Sequence, residues 1–250
     1  MVLVKICGIT NAADARAACE AGANSLGFNF YPKSPRFIAK ADAAKIRTQL
    51  PAEVEAVGVF VNLPAPEIAE LHRELRFNAV QLHGDESPEA VADLARALKV
   101  IKAFRVDKNF PMEKFAAYSE ASAFLLDAAE SGQFGGTGQI TDWEAARQAA
   151  AAHRIILAGG LTVENIADAI RIVHPFGVDV ASGVENKPGR KDHGRVREFI
   201  QEVRRAEKEL QLSAPAEESP EVPPGESPGV APEVSPDAQP QTLRGKSTTS

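Results

Sequence analysis

The sequence predicts a single α/β domain, a (β/α)8 barrel. Short apolar runs alternate with helical stretches, and the alternation repeats eight times. The eight units occupy about 210 residues, the lower end of the range for such a barrel. No G-x-G-x-x-G follows the first apolar run, which weighs against the alternative, a doubly wound open sheet. The repeat lies in secondary structure only, with no repeat of sequence.

The first strand, 2–7, is apolar apart from Lys5 and ends on Cys7. Strand side chains alternate in direction, so Leu3, Lys5 and Cys7 share one face and Val2, Val4 and Ile6 the other. Gly8 turns the chain, and Thr10-Asn11 leads into a helix at 12–20. The second strand, 25–30, runs into Tyr31-Pro32-Lys33-Ser34-Pro35-Arg36, then a helix at 40–49. The third, 56–61, ends near Asn62 and precedes a helix at 65–75 with Pro66 in its first turn. The fourth, 79–83, ends in Gln81-Leu82-His83-Gly84-Asp85, and Pro88 opens a helix at 88–98. The fifth, 100–106, ends in Phe104-Arg105, and Pro111 introduces a helix at 112–118. The sixth, 123–128, carries Leu126-Asp127. A glycine-rich loop follows, then a helix at 141–152 with the capping pattern Thr141-x-x-Glu144. The seventh, 154–158, ends in Ala158-Gly159-Gly160, and Thr162-x-x-Asn165 caps a helix at 163–173. The eighth, 177–181, ends in Ala181-Ser182-Gly183-Val184-Glu185, and the last helix is 194–210.

The chain has 250 residues, 44% hydrophobic and 25% charged, ample for a sizeable core. Of its formal net charge of −6, the segment 213–250 carries six acids against two bases. The remainder is near neutral, which leaves no electrostatic footprint for nucleic acid. No run of about 18 apolar residues occurs, so no membrane span is expected, and Lys5 interrupts any signal-peptide core. Two cysteines, Cys7 and Cys19, cannot form a disulfide framework, and a reducing cytosol is the expected setting. The domain is expected over 1–210. Beyond it, 211–250 is rich in Pro, Glu and Ser, with eight of the 17 prolines and almost no large apolar residue. Such a stretch cannot bury enough to offset its ordering entropy and is expected to be disordered.

In a barrel the active site lies at the C-terminal strand ends. Gly159-Gly160 and Ser182-Gly183 follow the seventh and eighth strands, where backbone N–H groups can approach a phosphate. Tight turns are the plainer reading of the same glycines. Cys7 and Asp127 end the first and sixth strands, on opposite sides of the mouth. A thiolate and a carboxylic acid placed so would form an acid–base pair for an isomerisation, although a lone cysteine is more commonly a small buried hydrophobe. A thiol near its ordinary pKa of about 8.5 is a poor base at neutral pH, and Lys5 on the same face is the candidate to stabilise its thiolate. Asp179 could pair with Lys5, because the first and eighth strands meet when the barrel closes. A structural ion pair is an equal reading. Arg36, stiffened by two prolines, could grip a carboxylate bidentately or form a surface salt bridge. His83 stands alone, with no metal-ligand spacing around it, and no metal is expected. Gly135-Gly136-Thr137-Gly138 suggests a lid.

Lys5-Ile-Cys-Gly-Ile-Thr10, Ser34-Pro-Arg36, Gln81-Leu-His-Gly84, Leu126-Asp127, Gly135-Gly-Thr-Gly138, Leu157-Ala-Gly-Gly-Leu161 and Asp179-Val-Ala-Ser-Gly-Val-Glu185 together resemble the phosphoribosylanthranilate isomerase family of tryptophan biosynthesis. The resemblance spans residue 2 to about residue 210 and leaves the proline-rich tail outside. It implies an Amadori rearrangement of N-(5-phosphoribosyl)anthranilate without a cofactor, on a small phosphorylated sugar substrate. It implies Cys7 as general base, Asp127 as general acid, and Arg36 on the anthranilate carboxylate. It also implies a phosphate site at Gly159, Gly160, Ser182 and Gly183. Ala181 stands where the family commonly has a second serine, a small change if backbone groups bind the phosphate. An acid that must be protonated at neutral pH needs a raised pKa, which a closed apolar site would provide. A monomer and a homodimer both fit.

Three rivals remain at this level. The related sugar-phosphate isomerase of histidine biosynthesis carries an aspartate where this chain has Cys7. A phosphate-binding barrel without catalysis has no need for both a thiol and a carboxylate at its mouth. A Schiff-base aldolase would need Lys5 one layer higher. Deleting 213–250 is expected to leave thermal unfolding nearly unchanged. A large fall in melting temperature would show that the tail belongs to the fold.

Overall fold

The computed structural model describes residues 1–128 and 142–213, with the side chains of Ala128 and Ser213 left out. The tail beyond Ser213 and the glycine-rich loop expected as a lid lie outside the described residues.

Eight parallel strands close into a barrel in chain order: β1 Leu3–Cys7, β2 Ser25–Asn29, β3 Glu55–Phe60, β4 Ala79–Leu82, β5 Val100–Val106, β6 Ala123–Ala128, β7 Ile155–Leu157 and β8 Gly177–Val180. β1 pairs with β8 to shut the ring, and the register sets Lys5 opposite Asp179. The expected strands are all present. The C-terminal ends of β2, β3, β4, β7 and β8 and the starts of β1 and β7 each shorten by a residue, and β3 starts one residue earlier.

Helices α1 Ala12–Ala21, α2 Lys40–Arg47, α3 Ala65–Leu75, α4 Pro88–Ala95, α5 Trp143–Ala150, α6 Ile166–Val173 and α7 His193–Ser213 surround the ring. Asn11 caps α1 by accepting from the Asp14 N–H, and Ser87 caps α4 with Pro88 in the first turn. Three expected starts move, that of α7 by one residue to His193. Asp142 caps α5: its side chain accepts from the N–H groups of Glu144 and Ala145, while Thr141 of the expected capping pattern lies outside the described residues. α6 begins at Ile166 because 163–165 form a turn, with the Thr162 N–H donating to Asn165 Oδ1 at 2.8 Å. The segment Met112–Tyr118 is a 3₁₀ helix rather than an α-helix, and the last helix runs to Ser213 rather than ending at residue 210. After β8 the chain forms a short 3₁₀ turn, Ser182–Val184, and an unexpected hairpin of β9 Glu185–Lys187 and β10 Arg190–Lys191.

Two apolar layers result. Outward strand residues such as Ile6, Leu26, Phe28 and Phe60 pack under the helices. Inward residues are smaller, among them Ala79, Ala103, Ala123, Leu125 and Ile156, and they fill the barrel itself. α7 lies against α6 and α1. Arg204 on α7 donates to the Val2 carbonyl and to Asn24 Oδ1, which also accepts from the Val4 N–H, so the last helix clamps the start of the first strand.

A buried ion pair sits in the outer layer. Lys102 on β5 donates to the carbonyls of Leu82 and Gly84 and to Glu86 at 2.8 Å. Glu86 in turn accepts from the N–H groups of Asn62 and Gly84, so one buried pair knits the loops after β3 and β4. Removing one member of such a pair leaves the other charged and buried. Lys102→Met is therefore expected to cost about 3–5 kcal/mol in urea unfolding. A cost under about 1 kcal/mol would mean that the pair does not hold these loops.

Candidate active site

A cavity opens at the C-terminal ends of the strands, as expected of a barrel. Cys7 from β1, Asp127 from β6 and Arg36 from the loop after β2 all line it, as do Gly159, Gly160 and Ser182. Residues far apart in sequence thus meet at one mouth.

The base candidate sits among charges. Lys5 Nζ and Asp179 Oδ1 are 2.9 Å apart across the β1–β8 seam, both buried, so the expected pair forms inside the barrel. Cys7 lies one layer above them, and Gly27 on β2 leaves room for its sulfur, since a Cβ there would lie 2.7 Å from Sγ. Burial and the negative charge of Asp179 push the Cys7 thiol above its ordinary value. Lys5 and the buried Lys191 pull it down, but they do not prevail. Lys5, expected to stabilise the thiolate, pulls the pKa down but is outweighed by burial and Asp179. Burial disfavours the charged form of Lys5, yet Asp179 and Cys7 more than offset this, and its pKa is raised.

Arg36 is buried rather than at the surface. The Ser34 hydroxyl accepts its backbone N–H, and its guanidinium makes a two-point pair with Glu185 at 2.9 and 2.7 Å. His83 has a protein partner at each ring nitrogen. Nδ1 lies 2.8 Å from Gln81 Nε2, and Nε2 lies 3.2 Å from Asp127 Oδ2. The Gln81 amide donates, so Nδ1 accepts and the ring proton sits on Nε2, directed at Asp127.

Gly159 and Gly160 both have positive φ, 77° and 65°, a backbone turn that suits glycine and directs main-chain groups into the cavity. Asn165 Nδ2 donates to the Gly160 carbonyl at 2.8 Å and holds the loop on the turn before α6. Gly183 stands behind Ser182, outside the cavity lining, where a Cβ would overlap the Leu161 carbonyl. It lets the β7 and β8 loops touch. Gly135, Gly136, Thr137 and Gly138 lie outside the described residues. Among the described residues no group of three or more His, Cys, Asp or Glu could hold a metal, and no helix is long and apolar enough to cross a membrane.

Sequence reasoning assigned no role to Gln81, Glu185 or Lys191. Gln81 carried a usable signal: it shares strand parity with His83 and is a polar residue inside an apolar run. Glu185 and Lys191 carried none, because their hairpin brings them to Arg36 only in three dimensions.

The family model described as N-(5'phosphoribosyl)anthranilate (PRA) isomerase matches residues 4–202. The chain belongs to this family. The N-(5'-phosphoribosyl)anthranilate isomerase of Trichlorobacter lovleyi is 51% identical over 208 residues, 82% of this chain and 100% of that protein. The one from Pelobacter propionicus is 50% identical over 200 residues, covering 80% and 94%. The crystal structure of phosphoribosyl anthranilate isomerase from Thermotoga maritima superposes with a TM-score of 0.76 at 43% identity, covering 82% of this chain and 99% of that one. A further isomerase structure, in complex with reduced 1-(o-carboxyphenylamino)-1-deoxyribulose 5-phosphate, is 42% identical with a TM-score of 0.74, again covering 82% and 99%.

The thiolate is the species that alkylates, so a raised pKa delays alkylation to higher pH. In the isomerase without substrate, labelling of Cys7 by iodoacetamide is expected to be slow at neutral pH and to climb only at a pH higher than a free thiol needs. In Lys5→Met, which removes one of the two pulls downward, the climb moves to still higher pH. Peptide mass mapping separates Cys7 from Cys19. Rapid labelling of Cys7 at pH 7 would contradict this charge balance.

Proposed function

We propose that this isomerase converts N-(5-phosphoribosyl)anthranilate to 1-(2-carboxyphenylamino)-1-deoxyribulose 5-phosphate, a step of tryptophan biosynthesis, with Cys7 as general base and Asp127 as general acid. The observation that supports these roles is that a thiol from β1 and a carboxyl from β6 line one cavity. Asp127 gives its proton to the furanose ring oxygen, the C1′–O bond breaks, and a protonated Schiff base forms. Cys7, ionised to its thiolate by loss of its proton to solvent, then takes the C2′ proton, and the resulting enolamine tautomerises to the ketone.

The remaining residues serve those two transfers. The His83 Nε2–H faces the oxygen of Asp127 on which charge develops as the proton leaves, and stabilises it there. The Schiff base carries a positive charge beside Cys7. That charge offsets the burial and the Asp179 field that hold the thiol protonated before substrate arrives. The Gly159–Gly160 turn and Ser182 present backbone groups to the phosphate, and Arg36 grips the anthranilate carboxylate. Phosphate and carboxylate are the two ends of the substrate. Anchoring both places the sugar between Cys7 and Asp127.

Fluorescence of N-(5-phosphoribosyl)anthranilate, followed with purified protein, is the direct test. The wild type is expected to accelerate the decay over the spontaneous background, and no acceleration would overturn the proposal. Cys7→Ser and Asp127→Asn are each expected to lose at least about 100-fold in kcat, with melting temperatures close to the wild type. Near-wild-type turnover in either variant would remove that residue from its role.

A further inference from the structure

We infer that Glu185 is a positioning residue for Arg36, held in place by the β9–β10 hairpin, and that it sets the preference for a substrate carrying a ring carboxylate. The inference rests on the reading of Arg36 as the carboxylate grip. Glu185 is buried and lies outside the cavity lining, so it acts on substrate only through Arg36.

The geometry is that of a clamp. The two Glu185 oxygens take Nε and Nη2 of Arg36, which fixes both the plane of the guanidinium and its rotation. Nη1 keeps no hydrogen-bond partner among the described residues. The clamp is itself braced. Lys191 Nζ donates to Glu185 Oε1 at 3.0 Å and to the Ala181 carbonyl at 3.0 Å, which ties the carboxylate to the end of β8. The Gly189 N–H donates to the same Glu185 oxygen at 3.3 Å. The Thr10 hydroxyl donates to the Gly189 carbonyl at 2.6 Å and anchors the hairpin to the loop after β1. The Lys191 backbone N–H donates to Asp14 on α1 at 2.9 Å. Three ionised side chains are therefore withdrawn from water and arranged so that one of them faces the cavity. Such burial is costly, and apolar residues would fill the same volume more cheaply, so the arrangement answers to what Arg36 does.

A counter-charge and a positioner make opposite predictions. If Glu185 only neutralises Arg36, then Glu185→Gln frees that charge and tightens binding of the carboxylated substrate. If Glu185 positions Arg36, the guanidinium swings and binding weakens. For Glu185→Gln we expect KM for N-(5-phosphoribosyl)anthranilate to rise about tenfold with kcat within about threefold of wild type. Its preference over the aniline analogue, which lacks the ring carboxylate, should narrow by about the same factor. Inhibition by inorganic phosphate should not change. Glu185→Asp keeps the charge and shortens the reach, so it should weaken binding in the same direction, and it serves if Glu185→Gln fails to fold. An unchanged or lowered KM and an intact preference in these variants would overturn the inference. Arg36→Lys separates the two levels. If Arg36→Lys leaves the preference intact, the reading of Arg36 fails. If it abolishes the preference while the Glu185 variants keep it, only the role of Glu185 fails.

Discussion

The Lys5–Asp179 ion pair sits at the seam where β1 meets β8, and much of the site depends on it. Two ionised groups inside an apolar barrel must be paired, because either alone would carry its full desolvation cost. The register that closes the barrel supplies that pairing. It also sets the field at Cys7, one layer above, where Asp179 pushes the thiol up and Lys5 pulls it down. Closure of the fold and poise of the base are thus one contact, and the structure cannot alter the first without altering the second.

The same device recurs around the mouth. Arg36 is held by Glu185, Asp127 is met by His83, and His83 is oriented by Gln81. Arg36, Asp127 and His83 each touch a second polar side chain that fixes its direction. Such networks are rigid when satisfied, and a low-dielectric surround strengthens every bond in them. Among the described residues Gln81 Oε1, on the side chain that orients His83, has no hydrogen-bond partner. Preorganised dipoles of this kind need little rearrangement as charge develops during reaction.

The division of the strands into two faces explains where that polarity is tolerated. Small inward residues on β4 to β6, such as Ala79, Ala103 and Ala123, fill the lower barrel and leave its top to the polar groups. The outer face is apolar except for Lys102, which is bonded to two carbonyls and Glu86. Family membership over residues 4–202 agrees with this plan, since the matched span contains the strands of the barrel, apart from Leu3 at the start of β1, and every residue given a role in the site.

The amino-acid sequence by itself determined the number, order and approximate bounds of the strands, because apolar runs bounded by turn residues carry their own period. It determined the parity of Lys5 and Cys7, which puts lysine and thiol on one face of the first strand, whereas the register of β1 on β8 set Asp179 beside them. It also suggested which residues stand at or beyond each strand end, and Cys7, Asp127 and Arg36, the last in the loop after β2, do line one cavity. Only the tertiary structure decided what those residues touch. Arg36 and Glu185 lie 149 positions apart and meet through a hairpin of two- and three-residue strands, too short to show a period. His83 reaches Asp127 across the mouth, between strands that do not pair. The direction of the Cys7 pKa is a sum over burial and charges on β1, β8 and β10. Alternation along one strand fixes which face a side chain takes, but its partner on that face is set by the closure and register of the whole ring.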